Sequence, residues 1–478
     1  MDSKRSLIVP ALLALAASAA ALYFGTGLRP IWWLAWIAPI PVLLLAPQVS
    51  RTWAFGVALL ACMIGNLNWW RYLHTALEIP VSAVLLVVFI PALVFAADVL
   101  VYRALLRISA WRAAVIFPAI WVLYEFASER LSPNSTAGNI SYSQMNFLPV
   151  LQLVSVTGIW AISFCLFLFA ATVSVLLSGN NGRGGKRGLA IAVGIVLAAV
   201  LGFGVWRLRS TPPQQAVMVG LVASDLPQNI FTTEHADTMR QLHEYADQAQ
   251  KLAAQGATVI VIPEKIAVVR ESDLPDLDGL FSAVAAKTGA SIVVGVIHPT
   301  PGAKWNEARL YFPDGRIQTY EKEHMVPSFE SSFTRGTDRV EWQEPSGRWG
   351  IVICKDMDFP RLSREYGNDG TALMLVPAWD FKMDGWLHGR MAILRGVESG
   401  FGIARAPKEG ILSVSDDRGR VLAERETNSA PFAALVAAVP VRHDATIYAR
   451  FGDWFGWTNI AMLLALIATA GPRKRIKS

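Results

Sequence analysis

Gly350-Ile351-Val352-Ile353-Cys354-Lys355-Asp356 is the stretch on which the reading of this chain turns. An apolar run of this length reads as a strand buried on both faces. It ends in a cysteine and charge follows at once, so the thiol sits where a strand gives way to a loop and can meet a substrate. Two earlier stretches end in the same manner: Val259-Ile260-Val261-Ile262-Pro263-Glu264 and Ile317-Gln318-Thr319-Tyr320-Glu321-Lys322. A carboxylate, an amine and a thiol at the ends of successive strands are the parts of a thiol-based acyl-transfer site.

Around these stretches, residues 208–455 alternate strand and helix patterns. Ala216–Ala223, Thr258–Ile262, Ser291–Ile297, Trp349–Cys354 and Ala372–Val376 read as strands, and Glu234–Gln255 as a long helix with Met239, Leu242, Tyr245, Ala246 and Ala249 at helical spacing. Helices are expected near 277–288 and over Leu387–Glu398. Pro313-Asp314-Gly315 marks a hairpin between Ala308–Phe312 and Arg316–Tyr320. Further strands fall near 401–405, 411–416 and 433–441. Several strands are apolar throughout, which calls for cover on both faces and hence an α/β layered domain.

The flanks have a different composition. The 478 residues are 53% hydrophobic and 17% charged, with the apolar excess concentrated in 1–207 and at the C-terminal end. A membrane span needs about 20 mostly apolar residues. Eight candidates are expected, at 7–25, 31–47, 53–70, 80–102, 112–127, 148–178, 188–206 and 456–471. This divides the chain into a seven-span region (1–207), an α/β insert (208–455) and a last span with its tail (456–478). Basic residues favour the cytoplasmic side. With the N-terminus inside, Arg51, then Arg103, Arg107 and Arg112, then Arg183, Lys186 and Arg187, and finally the tail Arg473-Lys474-Arg475 all fall inside. Both termini are then cytoplasmic and the insert is outside, on the periplasmic face of a bacterial inner membrane. The net charge of +6 sits largely in clusters beside apolar segments, such as Lys4-Arg5. That pattern fits membrane orientation and not nucleic-acid binding. Three cysteines, Cys62, Cys165 and Cys354, make no disulfide framework. No metal cluster with ligand spacing and no phosphate-binding glycine loop is expected, so no cofactor is implied.

A cysteine nucleophile needs a base or a cation nearby. Glu264 can take the thiol proton, Lys322 can stabilise an oxyanion and Cys354 can attack. Each also has an ordinary explanation. A strand-end cysteine is more often a small buried residue. A glutamate after proline is commonly a turn carboxylate, and Lys322 lies in the mixed-charge run Glu321-Lys322-Glu323-His324. Spacing alone does not choose between these readings.

The neighbouring motifs do. Pro263-Glu264, Tyr320-Glu321-Lys322-Glu323-His324-Met325-Val326-Pro327 and Ile353-Cys354 closely resemble the signature segments of the nitrilase (carbon–nitrogen hydrolase) superfamily. The resemblance implies an αββα sandwich and a Glu264–Lys322–Cys354 triad with Glu330 as a supporting carboxylate. Eight spans with such a domain before the last one resemble the apolipoprotein N-acyltransferase family, as do Tyr142-Ser143-Gln144, Trp305-Asn306-Glu307-Ala308 and Thr446-Ile447-Tyr448-Ala449-Arg450-Phe451-Gly452-Asp453-Trp454. That family implies transfer of an acyl chain from a phospholipid, through a Cys thioester, to the α-amine of a diacylglyceryl-cysteine at a lipoprotein's N-terminus. Two readings stand beside it: a divergent relative or amidase using another acceptor, and a binding module without catalysis. The sequence departs from the family pattern close to the nucleophile. Lys355 and Asp356 stand where Tyr and Glu are usual, Pro327-Ser328-Phe329-Glu330 replaces Pro-Phe-Gly-Glu, and Pro377-Ala378 replaces Asn-Asp. Lys355 is expected to place a cation beside the thiol and lower its pKa. Trp379, Phe381, Met383 and Trp386 form an aromatic-rich stretch that suits a membrane surface or a core equally well.

Overall fold

The computed structural model describes residues 7–179, 183–210 and 215–468. The chain forms two units, Met1–Trp206 with Asp453–Ser478, and Arg207–Gly452.

The first unit contains six helices long and apolar enough to cross a membrane: Ile8–Gly25, Arg51–Trp69, Val81–Leu106, Ala110–Leu131, Trp160–Leu177 and Gly185–Arg209. Two expected spans are interrupted. The stretch 31–47 forms two short helices, Leu34–Ile37 and Ile40–Leu45, because Pro39 and Pro41 lack the N–H that a continuous helix would use. The stretch 148–178 breaks at Gly158 (φ +64°), ahead of Trp160–Leu177. The last helix, Trp454–Ala468, has 15 described residues. Lys4-Arg5 and the tail Arg473-Lys474-Arg475 lie outside the described residues. The loop expected at Gly179–Gly188 is shortened, since the helix Arg183–Arg209 starts within it.

Polar contacts fix this unit internally. Glu125 accepts from the Ile140 N–H at 2.9 Å, and the hydroxyls of Ser141 and Ser163 meet at 2.8 Å. Asp453 accepts from Trp160 Nε1 at 2.8 Å and from Arg130 at 3.0 Å. Asn459 donates to the Ala119 carbonyl at 2.9 Å. In an apolar surrounding an unpaired polar group is expensive, so such pairs hold helices in register.

The second unit is built on two six-stranded sheets. The strands are β1 Ala216–Ala223, β2 Val259–Val261, β3 Ser291–Pro299, β4 Lys304–Tyr311, β5 Ile317–Glu321, β6 Val340–Glu344, β7 Gly347–Ile351, β8 Thr371–Trp379, β9 Gly402–Lys408, β10 Ile411–Ser415, β11 Val421–Glu426 and β12 Ala433–Pro440. One sheet has the order β12-β1-β2-β3-β4-β5 and the other β11-β10-β9-β8-β7-β6. The triplets β1-β2-β3 and β7-β8-β9 are parallel and the remaining pairs antiparallel.

Alternation along a strand sorts its side chains between two layers. Val259 and Val261 join Val219, Val293, Ile351, Leu375 and Ile403 in one core that draws on both sheets. Ile260 and Ile262 join Leu242, Tyr245 and Phe281 from the helices His235–Ala254 and Leu274–Thr288 in the other. The helices Pro360–Asn368 and Gly385–Ser399 pack on the second sheet. The strand expected at Trp349–Cys354 ends at Ile351, because the chain bends into a 3-10 turn over Cys354–Asp358. Strands β6 and β11 and the helix Pro360–Asn368 were not expected. Both strands lie at sheet edges and carry charge, which hides the apolar alternation of an inner strand.

Candidate active site

The three sequence-selected segments follow β2, β5 and β7 directly, and backbone hydrogen bonds lock them in place. The Glu264 N–H donates to the Ala378 carbonyl of the opposite sheet at 3.3 Å, and the Lys322 N–H to the Asn306 carbonyl at 2.9 Å. Left-handed backbone is uncommon for residues with a Cβ and costs about 1–3 kcal/mol each. Seven non-glycine residues adopt it among the described ones, and five are Lys265, Ser328, Cys354, Lys382 and Glu409. All five belong to the segments that carry or adjoin the candidate groups, so backbone strain concentrates there.

Glu264, Lys322 and Glu330 meet in the interior. Lys322 Nζ lies 2.8 Å from Glu264 Oε1 and 2.8 Å from Glu330 Oε2, and each side chain is at most 1% exposed. Asn306 Nδ2 donates to Glu264 Oε1 at 2.6 Å and to Glu330 Oε1 at 2.9 Å. Glu330 Oε2 also accepts from the Val326 N–H at 2.8 Å. Burial alone would raise the Glu264 carboxyl, but Lys265 and Lys322 overcome it and hold the group down to about 2. Glu330 is held low as well, chiefly by Lys322 against its own burial. Burial pulls Lys322 down, yet the two glutamates outweigh it and keep its pKa well above the ordinary lysine value.

Cys354 opens its turn with φ +45°. Its Sγ donates to the Trp379 carbonyl at 3.5 Å. Burial and then the Glu264 charge raise the thiol, while Lys322 and Arg405 pull it down without prevailing. The resting site is therefore carboxylate, ammonium and protonated thiol. One oxygen of the base is unused: Glu264 Oε2 is buried without a hydrogen-bond partner.

Asp356 organises the nucleophile turn. It accepts from the Ile353 N–H at 3.0 Å, the His324 N–H at 2.8 Å and the Tyr320 hydroxyl at 2.8 Å. His324 Nδ1 lies 3.1 Å from the same carboxylate. The shorter carboxylate thus ties the Cys354 turn to the segment bearing Lys322. The expectation for Lys355 is corrected. Its Nζ pairs with Asp358 at 3.1 Å, and the cations acting on the thiol are Lys322 and Arg405.

The structure also corrects the expectation that no histidine pairs with carboxylates. His388 Nδ1 lies 3.1 Å from Asp384 and 3.6 Å from Asp380, close enough for the three to hold a metal ion. Arg405, however, donates to both oxygens of Asp380. A metal would face that guanidinium, so the donor set suits an ion-pair network better. Burial tends to lower His388, but the Asp384 charge and the Asp380 hydrogen bond raise it to about 9. The aromatic stretch is neither fully core nor surface, since Trp379, Phe381, Met383 and Trp386 are all half-buried.

Sequence reasoning missed Lys265 and Lys408. Lys265 Nζ pairs with Glu330, and Lys408 Nζ donates to the Lys265 carbonyl at 2.9 Å from 143 residues further along the chain. Nothing local in the sequence links them. Asn306 lay within a quoted motif, and its role becomes visible only through its two carboxylate contacts.

A layered α/β unit with a buried Glu-Lys-Glu cluster beside a strained cysteine, joined to membrane-length helices, defines a membrane-anchored protein of the carbon–nitrogen hydrolase class. The carbon-nitrogen hydrolase family matches residues 221–424, and the apolipoprotein N-acyltransferase N-terminal domain matches residues 9–172. The apolipoprotein N-acyltransferase of Geobacter metallireducens is 26% identical over 94% of this chain and 92% of its own length. That of Chromobacterium violaceum is 25% identical over 99% and 96%. Among solved structures, an amidase from Nesterenkonia sp. covers 52% of this chain and 98% of its own, at 19% identity and a TM-score of 0.42. The chain belongs to the apolipoprotein N-acyltransferase family.

Proposed function

We propose that this chain is a membrane-bound N-acyltransferase that moves a fatty acyl chain from a phospholipid to the α-amine of a lipoprotein's N-terminal diacylglyceryl-cysteine, through a thioester on Cys354. The observation that carries the reading is the free buried oxygen of Glu264, in the cluster whose charge acts on a protonated thiol. As Sγ attacks the ester carbonyl of the donor, Glu264 Oε2 takes the thiol proton. The carbonyl oxygen becomes an oxyanion stabilised by Lys322, whose charge is secured by Glu264 and Glu330. The proton passes to the departing glyceryl oxygen, the C–O bond breaks and a lysophospholipid leaves. In the second half the acceptor amine attacks the thioester, Glu264 takes its proton, the C–S bond breaks and the sulfur is reprotonated. Because the thiol is held protonated at rest, thiolate character develops only as the new bond forms.

Within this reading the chain crosses the membrane eight times, in a bacterial inner membrane. The interrupted stretch 31–47 and the helix Trp454–Ala468 supply the two crossings beyond the six long helices. Both termini are cytoplasmic and residues 208–455 are periplasmic. Confining the enzyme and two lipid-anchored substrates to one surface raises their effective concentration.

The test is intact-mass analysis of the purified protein after incubation with phospholipid. An acyl adduct that hydroxylamine removes, absent in Cys354→Ala, is expected. Adding a diacylated lipopeptide should then discharge it and yield the N-acylated peptide. Absence of any adduct would overturn the reading. An adduct discharged by water or another amine, but not by the lipopeptide, would point instead to the amidase-like alternative.

A further inference from the structure

Lys304, Phe333, Lys265, Trp379 and Lys408 stand in alternation beside the Glu264–Glu330 cluster. Lys304 Nζ lies 4.2 Å from the centre of the Phe333 ring. Lys265 Nζ lies 5.8 Å from that ring and 5.4 Å from the Trp379 ring. Lys408 Nζ lies 3.5 Å from the Trp379 ring. Aromatic faces are negative and attract ammonium groups, which lets three cations share a small volume.

The local charges do not balance. Glu264 and Glu330 are matched by Lys322 and Lys265, Asp380 by Arg405, and Glu409 by Lys382. Lys408 is held by the carbonyls of Ile230 and Lys265. Lys304 makes no ion pair among the described residues. Two cations are left over, and the backbone is strained to arrange the group, with left-handed φ at Lys265, Lys382 and Glu409. Apolar surface lies next to it: Phe329 is 46% exposed, and its ring centre is 5.2 Å from that of Phe381. A cationic edge beside exposed aromatic rings matches a ligand with a single negative charge next to apolar chains.

We propose that the Lys304–Lys265 edge binds the phosphodiester of the acyl donor, and that it favours donors with anionic headgroups over donors whose headgroup carries its own ammonium. This inference rests on the phospholipid-donor reading above and adds the headgroup class. An ammonium on the ligand would meet Lys304 and Lys408 as a like charge, whereas a neutral polyol on the phosphate would not.

The test measures thioester formation on Cys354 of the full chain against donor concentration, with phosphatidylglycerol and phosphatidylethanolamine of identical chains. Phosphatidylglycerol is expected to half-saturate at about tenfold lower concentration, as befits one charge-assisted contact. Added salt should narrow the gap. Lys304→Met keeps the stem that packs on Phe333 and should erase the difference through half-saturation. Lys304→Arg should retain it. Equal half-saturation by both lipids in the unaltered chain would overturn the inference. So would a Lys304→Met variant that keeps the preference, or one that lowers the saturated rate equally for both lipids, which marks a structural role. No adduct from either lipid, with Cys354 still open to alkylation, would overturn the donor reading itself. That failure is distinct from equal loading by both.

Discussion

At the scale of the residue, the two charges nearest the thiol act in opposite senses. Glu264 raises the Cys354 thiol and Lys322 lowers it. Alkylation by iodoacetamide reports thiolate, so its pH midpoint should fall in Glu264→Gln, although turnover is lost with the base. In Lys322→Met the midpoint should rise. The pair of shifts separates an electrostatic effect from misfolding, which would move both variants alike. Asp356 offers a second case. It is fully buried and accepts from two backbone N–H groups that cannot turn away. Asp356→Asn aims an NH2 at donors, so a loss of about 2–3 kcal/mol in urea unfolding is expected, with slower thioester formation because the Cys354 turn loosens. Glu264, Lys322, Glu330 and Cys354 were legible because each lies in or just after a strand-end motif. Lys265 and Lys408 were not. Their meaning comes from a contact between distant loops, and a lysine in isolation reads as a solvated surface residue.

At the scale of the element, β3 positions the base through a residue with no side chain. A Cβ on Gly295 would stand 2.4 Å from the Pro263 carbonyl oxygen and 2.6 Å from Glu264 Cα. Both are backbone atoms, so the Glu264 turn would have to move. Gly295→Ala should therefore cut thioester formation by about a hundredfold, since small displacements of a catalytic group are that costly. Gly279, in the helix Leu274–Thr288, has nothing within 4 Å of an added Cβ. There the same substitution should leave turnover intact and add about 0.5–1 kcal/mol of stability, read by thermal unfolding beside Gly295→Ala. Periodicity revealed the inner strands because Val259, Val261, Ile260 and Ile262 are all apolar and serve two cores. It missed the edge strand Val421–Glu426, whose residues are mostly exposed. It also carried the strand at Trp349 through to Cys354. Hydropathy cannot see that the chain bends after Ile351 to bring the thiol into a left-handed turn.

At the scale of the whole molecule, topology decides whether the proposed chemistry meets its substrates. The insert 208–455 follows seven proposed crossings, and one of them is the proline-broken pair Leu34–Ile37 and Ile40–Leu45. If that pair only dips into the membrane, the parity changes and the insert returns to the side of the N-terminus. The basic residues argue against this. Arg103, Arg107 and Arg112 cluster around one helix junction, and Arg183, Lys186 and Arg187 around another two crossings later, so both junctions should face the same, cytoplasmic side. The last helix is short among the described residues. It is nevertheless anchored at one end by Asp453 on Trp160 and Arg130, and farther along by Asn459 on the Ala119 carbonyl, which favours a full crossing over a surface position. Compartment-sensitive reporters fused near residue 300 and after Ser478 should accordingly read opposite sides, periplasmic and cytoplasmic. A cytoplasmic signal at residue 300 would mean that 31–47 does not cross. Matching signals at the two sites would mean that Trp454–Ala468 does not. Only the first result would remove the catalytic unit from the face where lipoprotein N-termini are presented, and with it the proposed acceptor.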